Sequence, residues 1–201
     1  GRLPELLASA ALPAGERRKL LVEYSAPNTN KPQHLGHVRN NTLGLALVAL
    51  LRRVGHDALP VNLVNDRGIH ICKSMLAYQR FGGGETPESS GKKGDHLVGE
   101  YYVRYDQELK RQFGELRSSQ PALADKNDDD LFLETEIGRA TQAMLQAWEA
   151  DDPAVRELWR TMNGWVLAGF AETYRRMGVE FVRTYLESET WMLGRDYVLK
   201  G

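Results

Sequence analysis

The run Lys19-Leu-Leu-Val-Glu-Tyr-Ser25 is short, apolar and stopped by Pro27-Asn28, and it predicts a buried strand over about residues 19–25. From Leu35 to Val54 apolar residues recur nearly all round, at Leu43, Leu45, Ala46, Leu47, Val48, Leu50 and Leu51, which predicts a helix covered on several sides. Arg52 and Arg53 in its last turn, followed by Gly55, make a favourable C-terminal ending. Leu59, Val61 and Leu63 alternate, so a second strand is expected over about residues 59–64, and Pro60 confines it to a strand start or a sheet edge. Asn65-Asp66-Arg67-Gly68 then leads into a helix through Tyr78. Strand, helix, strand and helix in this order open a parallel sheet with crossovers.

The pattern changes after Tyr78. Residues 82–94 are rich in Gly, Ser and Lys and predict a mobile loop. They lack the preceding strand and the Gly-Lys-Ser/Thr ending of a phosphate loop. Asp95 is placed to cap a helix whose apolar stripe, Leu97, Tyr101, Tyr105, Leu109 and Phe113, repeats every fourth residue. A weaker helix covers about 130–149, and Asp152-Pro153 is a clear start signal for another. That helix carries Val155, Leu158, Trp159, Met162, Trp165, Val166, Phe170 and Met177 on one side and closes at Arg175, Arg176 and Gly178. Val179 to Leu186 alternates as a third strand. The expected class is α/β: a parallel sheet with a mostly helical region inserted between its parts.

Composition narrows the function. The 201 residues are 42% apolar with a net charge of −1, enough to bury a core and too neutral for a basic nucleic-acid coat. No apolar run is long enough to span a membrane, no membrane partner is expected, and the start lacks a signal pattern. The one cysteine, Cys72, excludes an internal disulfide framework and a four-cysteine zinc site. A soluble, cytoplasmic protein is the expectation. The charge is uneven: residues 1–60 carry a net +4 and the remainder −5, with Arg17, Arg18, Lys19, Lys31 and Arg39 near the most informative segment. The acidic stretch Asp125 to Glu136 is expected to face solvent, and Cys72 to be inert.

That segment is Glu23-Tyr-Ser-Ala-Pro-Asn-Thr-Asn-Lys-Pro-Gln-His-Leu-Gly-His37, joining the first strand to the first helix. Ligands in open α/β sheets bind beyond the carboxyl ends of strands, and a helix N-terminus there offers free N–H groups to an anion. His34 and His37 are three apart and share a side, where their ring N–H groups can donate to phosphate oxygens. Gly36 lets a flat ring approach the backbone. The ligand this suggests is a nucleoside triphosphate, with fixed donors stabilising charge at the attacked phosphorus. Two capping histidines, or a metal pair, fit the same tetrad. Zinc lacks a third ligand at a telling spacing, His56 and His70 being simply the other nearby histidines.

Read whole, Val22-Glu-Tyr-Ser-Ala-Pro-Asn-Thr-Asn-Lys-Pro-Gln-His-Leu-Gly-His-Val-Arg-Asn40 closely resembles the class I aminoacyl-tRNA synthetases, and among them the arginyl-tRNA synthetases. The resemblance extends over nearly the whole chain, including Val64-Asn-Asp-Arg-Gly-Ile-His-Ile-Cys-Lys-Ser-Met75 and Tyr185-Leu-Glu-Ser-Glu-Thr190. It implies a Rossmann-like catalytic sheet. Residues 1–18 would be a linker or the tail of a preceding domain, 19–81 the first half of the catalytic domain, 82–152 the inserted loop and helical region, and 153–201 the return to the sheet. The implied reaction joins L-arginine to ATP, which comes with Mg²⁺, and then passes the arginyl group to the tRNA for arginine. No structural metal is implied.

By similarity, His34 and His37 are the catalytic signature histidines, and His34, Lys31, Gly36 and His37 bind ATP. Glu23, Ser25, Ala26, Pro27, Asn28 and His37 would line the arginine site. A carboxylate at a strand end is also, on chemical grounds, the natural partner of a guanidinium. Glu23 as a surface ion pair with Arg17 or Lys19, and Lys31 as a solvated loop lysine, stay open. Tyr101, Tyr102 and Tyr105 can stack on an unpaired tRNA end or pack in a core.

This chain departs from the family pattern in places. Ala26 stands where a second serine is common, and Arg67 and His70 replace the Trp and Gln of a common Asp-Trp-Gly-x-Gln segment, so His70 is expected to be structural. Nothing in 1–201 matches the second class I signature, Lys-Met-Ser-Lys-Ser, which implies the first part of a catalytic domain with no turnover of its own. Two other functions compete: a different His-x-Gly-His nucleotidyltransferase, which would lack the Glu-x-Ser-x-Pro-Asn lead-in, and a non-catalytic tRNA-binding module, which would not need His34, Gly36 and His37 intact.

Overall fold

A computed structural model describes residues 11–200. Its sheet is parallel, ordered β1 (Lys19–Glu23), β2 (Asp57–Val64), β3 (Arg183–Leu186). Val22 lies opposite Pro60, and Val61 opposite Arg183. Helix α1 (Leu35–Arg53) follows β1 and α2 (Ile69–Phe81) follows β2. Then come α3 (Pro87–Ser90), α4 (Gly94–Ser119), α5 (Asp128–Phe132), α6 (Glu136–Glu149) and α7 (Pro153–Met177). Helix α8 (Glu187–Lys200) follows β3. The predicted α/β class is the observed one, with Rossmann-like strand–helix–strand connectivity.

The chain forms two compact units. Within the described residues, the first takes 11–27, 33–65 and 172–200, and the second 28–32 and 66–171. The first holds the sheet. Its core is Val22, Tyr24, Val48, Ala58 and Val179, flanked by Leu45, Leu51, Tyr174, Met177 and Phe181. Gly44 lets α1 lie directly on the Tyr24 ring, because a Cβ there would sit 2.2 Å from a ring carbon. Gly55 ends α1 at φ +100°, as its position predicts.

Three expectations for this unit change. Pro60 is at neither a strand start nor an edge: β2 is the central strand. The reason lies in the ladder. The Pro60 carbonyl accepts from Val182 N–H at 2.9 Å, and the ladder with β3 begins only at Val61 opposite Arg183, so the N–H that proline lacks falls before its start. The all-round apolar pattern of α1 does not give all-round cover either. Gly44, Leu45 and Val48 turn inward, while Leu43, Leu47 and Leu50 stay exposed. The third strand is also shorter than expected, since Val179 enters the core and pairing begins only at Arg183.

The second unit packs α2, α4 and α6 with the first part of α7. Tyr101 and Tyr105 are buried; Tyr101 donates to Glu85 Oε2 at 2.6 Å and Tyr105 pairs with Thr141 Oγ1 at 2.6 Å. The stretch expected as a mobile loop instead contains a capped turn. Thr86 and Ser89 cap one another across α3, and Lys92 joins Glu85 and Glu100. Asp95 is not the cap of α4: the helix starts at Gly94, and Asp95, inside the first turn, holds Lys93 Nζ at 2.9 Å. The helix expected over 130–149 is broken at Leu133–Thr135, where Thr135 Oγ1 accepts from Gly138 N–H and restarts the chain as α6. Asp152 does cap α7, its Oδ1 accepting from Ala154 and Val155 N–H at 3.0 Å each. Of the acidic stretch, Asp128 pairs with Arg117 and Glu136 with Arg80, both at the surface.

Candidate functional site

The connection from β1 to α1 begins with unusual backbone. Ser25 and Ala26 are left-handed, at φ 77° and 47°, and neither is glycine. Such residues cost about 1–3 kcal/mol each and persist only where surroundings enforce them. Ser25 is buried, and its Oγ lies 2.7 Å from the Tyr174 hydroxyl. Ala26 N–H donates to Asn62 Oδ1 at 3.1 Å, and Pro27 O accepts from Asn65 N–H at 3.0 Å.

Helix α1 then starts with an unusual cap. His34 Nδ1 accepts from Gly36 N–H at 3.1 Å, and His37 Nδ1 accepts from His34 N–H at 3.2 Å. Each histidine ring plays the part that a Ser/Thr and a Glu play in an ordinary capping box. The two rings lie 4.2 Å apart, tilted by 54°. A ring that accepts at Nδ1 in its neutral form carries its proton on Nε2, so these hydrogen bonds assign both rings as Nε2–H donors. The first-turn donors are therefore partly committed. Gly36 N–H is spent on His34, so an anion here meets ring N–H groups where free backbone N–H groups were expected. Gly36 has a local reason as well: its Cβ would lie 2.8 Å from His34 Cε1 and displace the ring.

An open cavity of about 540 Å³ is lined by Ser25, Ala26, His34, Gly36, His37, Arg39, Asn40 and Leu43. It joins the end of the first strand to the histidine turn. Arg39 adds a cation, and Asn40 Nδ2 donates to Ser25 O at 3.4 Å. Glu23 is exposed at the end of β1, and Pro27 is buried. Asn28 and Lys31 belong to the second unit. Lys31 lines a separate cavity of about 770 Å³ there, with Pro32, His96, Tyr102 and Arg104 among its walls. Of the three tyrosines, Tyr102 alone lines that cavity; its hydroxyl lies 3.2 Å from His70 Nδ1. Partial burial first, then the charges of Lys73 and Lys31, push the His70 pKa down.

Arg67, one of the residues that depart from the resembled pattern, is engaged by its neighbours. Arg67 lies over the Trp148 ring at 5.3 Å and pairs with Glu149. The neighbouring Asp66 carbonyl accepts from Trp159 Nε1 at 2.6 Å and Asn163 Nδ2 at 3.2 Å. Cys72 is buried, and burial with the Glu149 charge pushes its thiol up to about 12, which makes it a poor nucleophile. Among the described residues no group of three or more His, Cys, Asp and Glu stands together as a metal site. Nor is any helix among them long and apolar enough to cross a membrane.

Sequence reasoning passed over Asn62 and Tyr174. Asn62 carried a signal, being the single polar side chain within the apolar run Ala58-Leu-Pro-Val-Asn-Leu-Val64. Tyr174 carried none, since it stands 149 residues from Ser25 on a helix with several aromatic residues.

The family model described as tRNA synthetases class I (R), catalytic domain, matches residues 2–192. An arginine–tRNA ligase of Bacteroides fragilis is 52% identical over 182 residues, covering 90% of this chain and 30% of that protein. One from Phocaeicola vulgatus is 50% identical over 186 residues, with the same coverage. The Thermus thermophilus arginyl-tRNA synthetase structure is similar with a TM-score of 0.56 at 25% identity, over 92% of this chain and 27% of that one. The chain thus spans about 30% of the length of the curated relatives it matches.

Proposed function

The chain belongs to the family of class I tRNA synthetase (R) catalytic domains, and from that premise we propose that it forms part of an arginine–tRNA ligase. In the proposed first step, an arginine carboxylate oxygen bonds to the α-phosphorus of ATP. The bond from that phosphorus to the α–β bridging oxygen breaks, and pyrophosphate leaves with its Mg²⁺. A ribose hydroxyl at the tRNA end then attacks the arginyl carbonyl, and AMP leaves. The setting proposed is the cytoplasm.

The observation that carries this reading is the reciprocal histidine cap opening on the strand-end cavity. Two Nε2–H donors held by backbone hydrogen bonds need no reorganisation when charge builds on the α-phosphate oxygens, which is the condition for electrostatic catalysis. His34 and His37 take that role, with Gly36 and Lys31 also assigned to ATP. Glu23, Ser25, Ala26, Pro27, Asn28 and His37 are assigned to arginine, Glu23 through its carboxylate. The assignment of residues 19–81 and 153–201 to the catalytic domain, with 82–152 inserted and 1–18 leading in, is part of the same proposal.

The test is arginine-dependent exchange of pyrophosphate into ATP, with tRNA present, by the complete polypeptide that carries this chain. Exchange should require arginine and fall about 10²–10³-fold in His37→Ala, the usual loss on removing one transition-state donor. Exchange that proceeds without arginine, or a His37→Ala variant as fast as wild type, would sink the reading.

A further inference from the structure

The left-handed pair Ser25–Ala26 forms part of the cavity wall, yet neither residue favours that conformation. Something outside the segment must hold it. Two side chains meet it from behind. Asn62, 1% exposed in β2, accepts the Ala26 N–H at Oδ1 and donates from Nδ2 to the Tyr174 hydroxyl at 3.2 Å. With a proton arriving from Asn62, the Tyr174 oxygen is free to pass its own to Ser25 Oγ, 2.7 Å away. The result is a polar chain from the Ala26 backbone through Asn62 and Tyr174 to the Ser25 side chain, with the Gln33 side chain also against the Tyr174 hydroxyl. Tyr174 is itself fixed, its ring edge-on to Phe181 at 5.2 Å, and Phe181 lies tilted against Tyr24 at 4.8 Å. Burial raises the Tyr174 pKa, so the hydroxyl keeps its proton at neutral pH. The Ser25 carbonyl is in turn held by Asn40 of α1.

We propose that Asn62 and Tyr174 are positioning residues that hold the Ser25–Ala26 elbow in its left-handed form and so set the affinity for the amino-acid substrate. The proposal rests on arginine activation at this cavity. Neither residue lines the cavity; both act through the elbow. Releasing the clamp lets Ser25 and Ala26 relax toward extended backbone, which moves the wall assigned to arginine and leaves the His34–His37 cap in place.

The test measures KM and kcat for arginine and KM for ATP by pyrophosphate exchange in the complete polypeptide, with thermal midpoints alongside. Asn62→Leu removes both clamp bonds. Tyr174→Phe deletes one oxygen from a half-buried ring and keeps the test open if Asn62→Leu does not fold. In each folded variant the arginine KM should rise about tenfold, the order expected for losing a buried hydrogen-bond partner, while kcat and ATP KM stay within about twofold. Ser25→Ala combined with Tyr174→Phe should fall short of the sum of the two single effects, because the Ser25–Tyr174 bond is lost in each. A folded Tyr174→Phe variant with unchanged arginine KM would overturn the proposal, as would equal rises in both KM values or additive effects in the pair. Wild-type protein that shows no arginine-dependent exchange would instead overturn the functional reading on which the proposal stands.

Discussion

At Gly36 a hydrogen in place of a methyl group decides whether His34 can cap α1. The His34 ring folds back over the Gly36 nitrogen, and the space a Cβ would need is filled by ring atoms at 2.8 and 3.0 Å. Backbone φ is ordinary there, so the requirement is contact and not conformational freedom. Gly36→Ala should therefore swing the ring out, losing the cap and misplacing its Nε2–H together. The cap alone is worth about 1 kcal/mol. His34→Asn separates the two effects, since asparagine is among the best N-caps but offers no imidazole donor. The expected result is a thermal midpoint near wild type for His34→Asn and a lowered one for Gly36→Ala, with adenylate formation slowed in both. Full activity in Gly36→Ala would show that the ring does not need its folded-back position.

Among the elements, glycines of the second unit fall into two kinds that sequence alone does not tell apart. At the crossing of α4 and α7, a Cβ on Gly94 would sit 2.1 Å from the Trp165 carbonyl oxygen, and one on Gly169 would sit 2.5 Å from Asp95 Oδ1. Gly114 and Gly164, on the same two helices, have nothing within 4 Å. Alanine should then act in opposite directions. Gly169→Ala should lower stability by about 1–3 kcal/mol through overpacking. Gly114→Ala and Gly164→Ala should raise it by about 0.5–1 kcal/mol each through reduced backbone entropy. Urea midpoints check this, and a shared sign would refute the crossing. The same contrast explains what was legible in the chain. Signals acting within one element read well: Asp152-Pro153 starts α7, Gly55 and Gly178 end helices at φ +100° and +67°, and the histidine turn sits at a strand's carboxyl end. Signals that depend on a distant partner did not. Pro60 reads as an edge residue in sequence because nothing local shows that β3 begins one residue too late to need its N–H, and the Ser25–Ala26 elbow leaves no local mark because its clamp comes from β2 and α7.

For the molecule as a whole, the telling feature is apolar surface where a strand-and-helix unit normally has cover. Leu43, Leu47 and Leu50 follow one face of α1 at spacings of four and three, and are 57%, 48% and 66% exposed. Leu21 of β1 is 68% exposed, and β1 pairs on one edge only among the described residues. An unpaired strand edge beside an apolar helix face invites association. Because the chain spans about 30% of the length of its curated relatives, the occupant proposed for this face is the remainder of the same polypeptide. This assigns opposite signs to one set of substitutions. In residues 1–201 expressed alone, Leu43→Glu with Leu47→Lys should increase solubility and the monomer fraction at fixed concentration, since exposed leucines are replaced by charge. In the complete polypeptide the same pair should lower the unfolding midpoint, each lost leucine costing about 1.5–3 kcal/mol of burial. Sedimentation of the short chain and denaturant unfolding of the long one give the two readings. If the pair leaves the complete polypeptide as stable as wild type, the α1 face is solvent-facing in the whole protein too, and its cover by the rest of the polypeptide is ruled out. Under the proposed function, residues 1–201, which span about 30% of the length of the curated relatives, should give no arginylated product in a single turnover with ATP, Mg²⁺ and the tRNA.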